Sequence, residues 1–236
     1  MRVLDKKSMQ YYNEKIKGLL GLKTSWYLSD QEVFKELQLG VHYITGSRVP
    51  GDIAEFGSHG RSAKQICKAM KDLYSEKHIH LFDSFEGFPT TQEDANSPHV
   101  LCGIWPKGGS KPPLVPNELA KMLSKQISKK QIHVYPGWFN ATIQTIEEGT
   151  TFSMVHIDCD LYKSTFDVLD YLFAHRMVSK GCIIYFDDWY CNKGSPEYGE
   201  QKAWAVISKK YNVKFSPSKW YGWAGSKLIV HEYEHI

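Results

Sequence analysis

The chain has 236 residues, 42% hydrophobic and 23% charged, with a formal net charge of +3. A chain of that length buries roughly 70% of its unfolded surface without staples and fits one large domain or a domain with an appendage. The small charge excess argues against a nucleic-acid or anionic-membrane partner, and no apolar run reaches membrane-spanning length. With no signal-like N-terminus and five cysteines lacking any paired metal spacing, the expectation is a cytoplasmic protein with reduced thiols.

Residues 1–24 are basic and mildly amphipathic, with Tyr12, Ile16, Leu19 and Leu20 able to share a helical face. Ser29-Asp30-Gln31-Glu32 has the form of a capping box and predicts a helix with Phe34, Leu37, Val41 and Ile44 on one side. These helices make an N-terminal segment, 1–47, that either packs against a sheet edge or covers a site; residues 48–236 form the main domain. Residues 52–56 read as the first buried strand and Gly57-Ser58-His59-Gly60 as a tight turn. Residues 61–75 then read as a helix with Ile66, Met70, Leu73 and Tyr74 inward. Glycines in such a turn let the backbone approach a ligand, and the helix start offers free N–H groups to an anionic one. A second strand, 78–82, ends in Asp83, placed to accept hydrogen bonds from ribose hydroxyls, or else to cap a turn.

Residues 86–116 have no periodic pattern and hold six of the ten prolines. A loop this long inside a compact domain is usually functional, here as a substrate-side lid or an oligomer contact. A helix over 117–127 and a third strand over 131–135 follow. Then come Pro136-Gly137-Trp138-Phe139, an aromatic pair that can flank a purine or belong to the core, and a short helix over 139–146. Next is the apolar run 152–157, closed by Asp158-Cys159-Asp160. Phe166, Leu169, Leu172, Phe173 and Met177 then recur at helical steps, and a strand over 182–186 is closed by Asp187-Asp188. Strand, helix, strand is a parallel crossover, so both acidic clusters fall on the carboxyl edge of one sheet, where ligands bind in open α/β folds. Carboxylates gathered there repel, and a divalent cation relieves them; the alternative is that Asp160 caps the following helix and Asp188 is a solvated turn residue. A helix over 196–211 and strands over 213–216 and 227–232 joined by a hairpin at 220–225 complete the chain.

Glu55-Phe56-Gly57-Ser58-His59-Gly60, Asp83-Ser84-Phe85-Glu86-Gly87-Phe88-Pro89, Gly137-Trp138-Phe139, Asp158-Cys159-Asp160-Leu161-Tyr162-Lys163-Ser164-Thr165 and Phe186-Asp187-Asp188 together resemble the macrocin O-methyltransferase family (TylF/MycF type). These are class I S-adenosylmethionine-dependent, Mg²⁺-dependent sugar O-methyltransferases of antibiotic biosynthesis. The resemblance runs from about residue 48 to the end. It implies a Rossmann-like, mostly parallel seven-stranded sheet with a C-terminal antiparallel hairpin. It also implies that Glu55, Gly57 and Asp83 line the donor site and that Asp158, Asp187 and Asp188 take the metal. Ser58, Gly60, Ser62, Ser84, Gly137, Trp138, Phe139 and Asp158 complete the expected donor set. Related catechol methyltransferases carry a lysine three positions after the first metal aspartate; Leu161 stands there, so Asp158 or Asp160 is the expected base, with His59 and His156 behind them. The expected protein is a homo-oligomer acting on a small-molecule sugar or glycoside hydroxyl. A nicotinamide-dependent oxidoreductase, or a silent protein on a methyltransferase fold, are the competing readings.

Overall fold

The computed structural model describes residues 25–217 and 219–234; the amphipathic pattern at 1–24 lies outside them. The chain forms α1 (Ser25–Gly46), β1 (Asp52–Phe56), α2 (Arg61–Asp72), β2 (Ile79–Asp83), α3 (Pro98–Leu101), α4 (Pro116–Leu123), β3 (Ile132–Pro136), α5 (Phe139–Thr142), β4 (Phe152–Ile157), α6 (Tyr162–Ala174), β5 (Val178–Phe186), α7 (Gly199–Lys210), β6 (Lys214–Phe215), β7 (Lys219–Tyr221) and β8 (Gly225–Glu232). The sheet order is β3-β2-β1-β4-β5-β8-β6, with β7 also paired to β8. β1 to β5 run parallel and β8 runs antiparallel to β5. The expected seven positions are present; the outermost is interrupted next to Pro217, which cannot donate to a ladder, so β6 and β7 share it along β8.

Period-2 alternation sorts the strand residues onto two faces. Ile53, Met154, Ile183 and Tyr185 pack with Leu37, Val41 and Ile44 of α1 and Ile66 and Met70 of α2. Ala54, Phe56, Val155, Ile157, Ile184 and Phe186 pack with α6 and α7 through Leu169, Phe173, Ala203 and Ile207. α1 is therefore part of the core: Leu37, Val41 and Ile44 are fully buried. It begins at Ser25, so the Ser29–Glu32 sequence lies inside the helix and does not start it. α2 ends at Asp72, and Tyr74 takes a left-handed φ of 51° and points to solvent instead of the core. Among the described residues no helix is long and apolar enough to cross a membrane, and all five cysteines are free.

Candidate active site

Register builds the site. Ile157 on β4 is paired with Phe56 on β1 and with Phe186 on β5. The next residues, Gly57, Asp158 and Asp187, therefore stand abreast at the carboxyl edge. The ladder carries on into them: Asp158 N–H donates to Phe56 O and Asp187 N–H to Ile157 O, both at 2.9 Å. The strand order turns between β1 and β4, the switch point where open α/β sheets bind ligands. Gly57 has φ 92°, and a Cβ there would stand 1.8 Å from the Asp158 carbonyl oxygen, so only glycine lets the two backbones pass.

Asp158, Asp187 and Asp188 each offer a carboxylate oxygen, all within 4.8 Å of one another. Asp160 joins them with a left-handed φ of 59°. It does not cap α6, whose N-cap is Leu161; its carboxyl lies beside that of Asp188. Burial and then Asp187 push the Asp158 carboxyl well up, burial and then Asp188 do the same for Asp160, and Asp188 is pushed to about 6 by burial and Asp187. Cys191 Sγ donates to Asp188 at 3.0 Å. Among the described residues no lysine or arginine forms an ion pair with any of these acids.

Two acids lie behind this front. Glu200, near the start of α7 and 1% exposed, accepts the Asp188 N–H at 3.0 Å, leaving its Oε1 buried without a partner. Burial and the neighbouring Asp188 raise its pKa. Nothing in the local pattern of Gly199-Glu200 signalled this role. Glu55 is fully buried, its carboxylate taken by Ser58 Oγ at 2.7 Å and by His156 Nδ1 at 3.0 Å. His156 Nε2 stands 3.9 Å from Asp187. Burial opposes a charge on this imidazole, but Asp187 and Glu55 outweigh it and raise its pKa.

A cavity opens beside the acids. Of the expected donor residues, Gly57, Asp83, Ser84, Trp138, Phe139 and Asp158 line it, and Asp160 joins them. Glu55, Ser58, Gly60, Ser62 and Gly137 do not line it: Glu55 and Ser58 pair with each other behind it, and Ser62 is buried on α2. The glycine turn and long loop add His59, Gly87, Phe88, Pro89 and Ser110. His59 Nε2 contacts the Ser110 carbonyl at 2.6 Å. Asp83 is buried, accepts the Phe85 N–H at 2.6 Å, and burial pushes it up to about 6. Asp158 is the one expected residue common to the cavity wall and the acidic triad.

Residues 24–203 match the family model described as macrocin-O-methyltransferase (TylF). The chain belongs to the macrocin O-methyltransferase family. A family relative from Streptomyces niveus, demethyldecarbamoylnovobiocin O-methyltransferase, is 25% identical over 164 residues, 67% of this chain and 62% of its own. A second, the 8-demethyl-8-(2,3-dimethoxy-alpha-L-rhamnosyl)-tetracenomycin-C 4'-O-methyltransferase of Streptomyces olivaceus, is 25% identical over 65% of this chain and 58% of its own. The chain thus spans about three fifths of these relatives' length. Among solved structures, the O-methyltransferase NovP has a TM-score of 0.67 at 20% identity, covering 84% of this chain and 79% of its own. CalS11, a calicheamicin methyltransferase, has 0.63 at 19%, covering 92% and 85%. The solved structures give the fold as that of class I methyltransferases, and the family match speaks for a methyltransferase over the nicotinamide-dependent reading.

Proposed function

We propose that the chain transfers the methyl group of S-adenosylmethionine to a hydroxyl of a sugar on a glycosylated natural product, with Mg²⁺ held by Asp158, Asp187 and Asp188. The observation that carries this is the double membership of Asp158, which walls the cavity at the carboxyl edge and belongs to the acidic triad. The residues fit a hard divalent cation: all donors are carboxylate oxygens, they lie within 4.8 Å of one another, and no lysine or arginine ion pair offsets them among the described residues. When bound, such an ion chelates neighbouring hydroxyls and lowers the pKa of the one to be methylated.

The chain's own residues do the rest. Trp138, Phe139 and Asp83 hold the donor in the cavity, with Asp83 accepting from its ribose. The acceptor oxygen attacks the methyl carbon as the sulfur–carbon bond breaks in line, leaving S-adenosylhomocysteine. The hydroxyl proton passes to Asp158 or Asp160, the two acids of the cluster that line the cavity wall. Holding both reactants in line contributes on the order of 7–11 kcal/mol. The names of the Streptomyces relatives, an O-methyltransferase of demethyldecarbamoylnovobiocin and a 4'-O-methyltransferase of a rhamnosyl tetracenomycin, support a glycosylated natural product as acceptor.

The test is a screen of rhamnosides, other deoxysugar glycosides and catechols with methyl-labelled donor, with Mg²⁺ and with EDTA. Metal-dependent labelling of a glycoside is expected. Labelling confined to catechols overturns the acceptor class, and no labelling of any acceptor favours a silent protein on this fold.

A further inference from the structure

The long segment between β2 and α4 is tied to the acid-bearing loops at two places outside the cavity. The first is Asp94, 3% exposed. The opening N–H groups of a helix have no partner inside it, and Leu161 at the N-cap of α6 offers no side-chain acceptor. Asp94 takes that role from 68 residues upstream: Oδ1 accepts the Tyr162 N–H at 2.7 Å and Oδ2 the Lys163 N–H at 3.1 Å. Thr91 Oγ1 donates to Oδ2 at 2.6 Å and fixes the carboxylate. The capped turn directly follows Asp158-Cys159-Asp160.

The second tie is reciprocal. Asn192, 2% exposed, accepts the His99 N–H at 3.0 Å through Oδ1, and its own N–H donates to His99 Nδ1 at 3.0 Å. Asn192 follows Asp187-Asp188 on the same excursion from β5. Gly199, at φ 56°, closes the gap: a Cβ there would stand 3.1 Å from Asn192 Nδ2 and 3.2 Å from the Asp160 carbonyl oxygen. One segment thus holds the loop after β4 at Asp94 and the loop after β5 at Asn192.

We propose that Asp94 and the His99–Asn192 pair are positioning residues that clamp the two acid loops at the separation a divalent ion requires, an inference that rests on the metal reading above. Beyond Asp158 and Asp187 the ladder no longer fixes these loops, and the carboxylates they carry repel each other. A brace outside the ligand set resists that repulsion before the ion arrives. Groups that orient metal ligands from behind typically change metal affinity by 10–100-fold when removed.

Mn²⁺, followed by its electron paramagnetic resonance signal, is the probe. Wild type should bind it. Asp94→Ala and Asn192→Ala should each bind it roughly 10–100-fold more weakly, and Asp94→Asn, which keeps one acceptor for α6, should fall between. S-adenosylhomocysteine affinity by calorimetry should stay within a few-fold in all three, which also shows that they are folded. If Asp94→Ala does not fold, Asn192→Ala carries the test, since it leaves the helix cap in place. Wild-type Mn²⁺ affinity in the folded alanine variants overturns the clamp alone. A parallel loss of Mn²⁺ and S-adenosylhomocysteine overturns it in favour of a general scaffold. No binding of Mn²⁺ by wild type, the free-ion signal staying undiminished as protein is added, overturns the metal reading, and the clamp with it.

Discussion

Asp83 sets folding against donor binding. The residue is 7% exposed, and burial pushes its pKa from 3.8 up to about 6 even though it accepts the Phe85 N–H. An acid whose pKa rises on folding costs stability when ionised. The cost is absent below the unfolded value of 3.8 and fully present above about 6. A rise of that size corresponds to about 3 kcal/mol. Donor binding needs the ionised form, because hydrogen bonds from ribose hydroxyls to a charged acceptor contribute roughly 1.5–3 kcal/mol. Asp83→Asn keeps an oxygen for the Phe85 N–H and removes the charge. The ligand-free variant should therefore be more stable than wild type near neutral pH, by up to about 3 kcal/mol. The advantage should vanish as pH falls through the window from about 6 to 3.8. The same variant should bind S-adenosylhomocysteine roughly 10–150-fold more weakly, and wild-type affinity should itself fall as pH drops below about 6. Urea unfolding of both proteins across this range, paired with calorimetry, reads all three effects. A variant that binds S-adenosylhomocysteine like wild type refutes the ribose role, and an unchanged stability difference across the pH range refutes the burial argument.

Gly57→Ala should lose methyl transfer and metal affinity together, because its Cβ would fall 1.8 Å from the Asp158 carbonyl oxygen at a φ of 92°, and a left-handed non-glycine residue costs about 1–2 kcal/mol besides; activity and Mn²⁺ titration of the purified variant check this, and wild-type values in both would contradict it. At the opposite edge of the sheet, His133 Nε2 lies 2.8 Å from His78 Nδ1, a contact with room for one proton. Burial first, then His80 and His78, hold the His133 pKa below its ordinary 6.5 against the pull of Asp52 and Glu147. A base depressed on folding leaves stability intact above its unfolded value and loses it as pH falls below, so wild type should lose more stability between about pH 7.5 and 5 than His133→Phe does; equal slopes in urea unfolding would count against it.

The parts of the site that sequence made legible are those built by short-range regularity. Two apolar runs each ending in paired aspartates, with a helical repeat between them, leave few topologies, and a parallel crossover brings the acids to one edge. The same logic placed Gly57 and Asp83 at the tips of β1 and β2, where they line the cavity. What stayed hidden depends on contacts between distant segments. Asp94 caps a helix that begins 68 residues later, so no local spacing marks it. Glu200 looks like an ordinary acid in the first turn of α7 and is buried only because α7 packs beneath the Asp188 loop. Glu55 stands at a position that suggests a ligand contact. The pairing of β1 with β4 sets it beside His156 on the inner face, and the imidazole takes its carboxylate. Pro217 gave no sign of a split outermost strand: only 213–216 read as strand there, and Trp220 and Tyr221, read as part of the hairpin turn at 220–225, pair with β8 as a second piece.

The central claim is that the acids of the carboxyl edge hold a divalent ion needed for transfer and not for donor binding. Asp187→Asn is the sharpest probe: the change removes one ligand charge from the triad at a residue that does not itself line the donor cavity. With an acceptor found in the screen, the account predicts that this variant transfers no label while S-adenosylhomocysteine affinity stays within a few-fold of wild type, and that metal-free wild type behaves the same until Mg²⁺ is restored. Full-rate transfer by verified metal-free wild type, or by the Asp187→Asn variant, would contradict it.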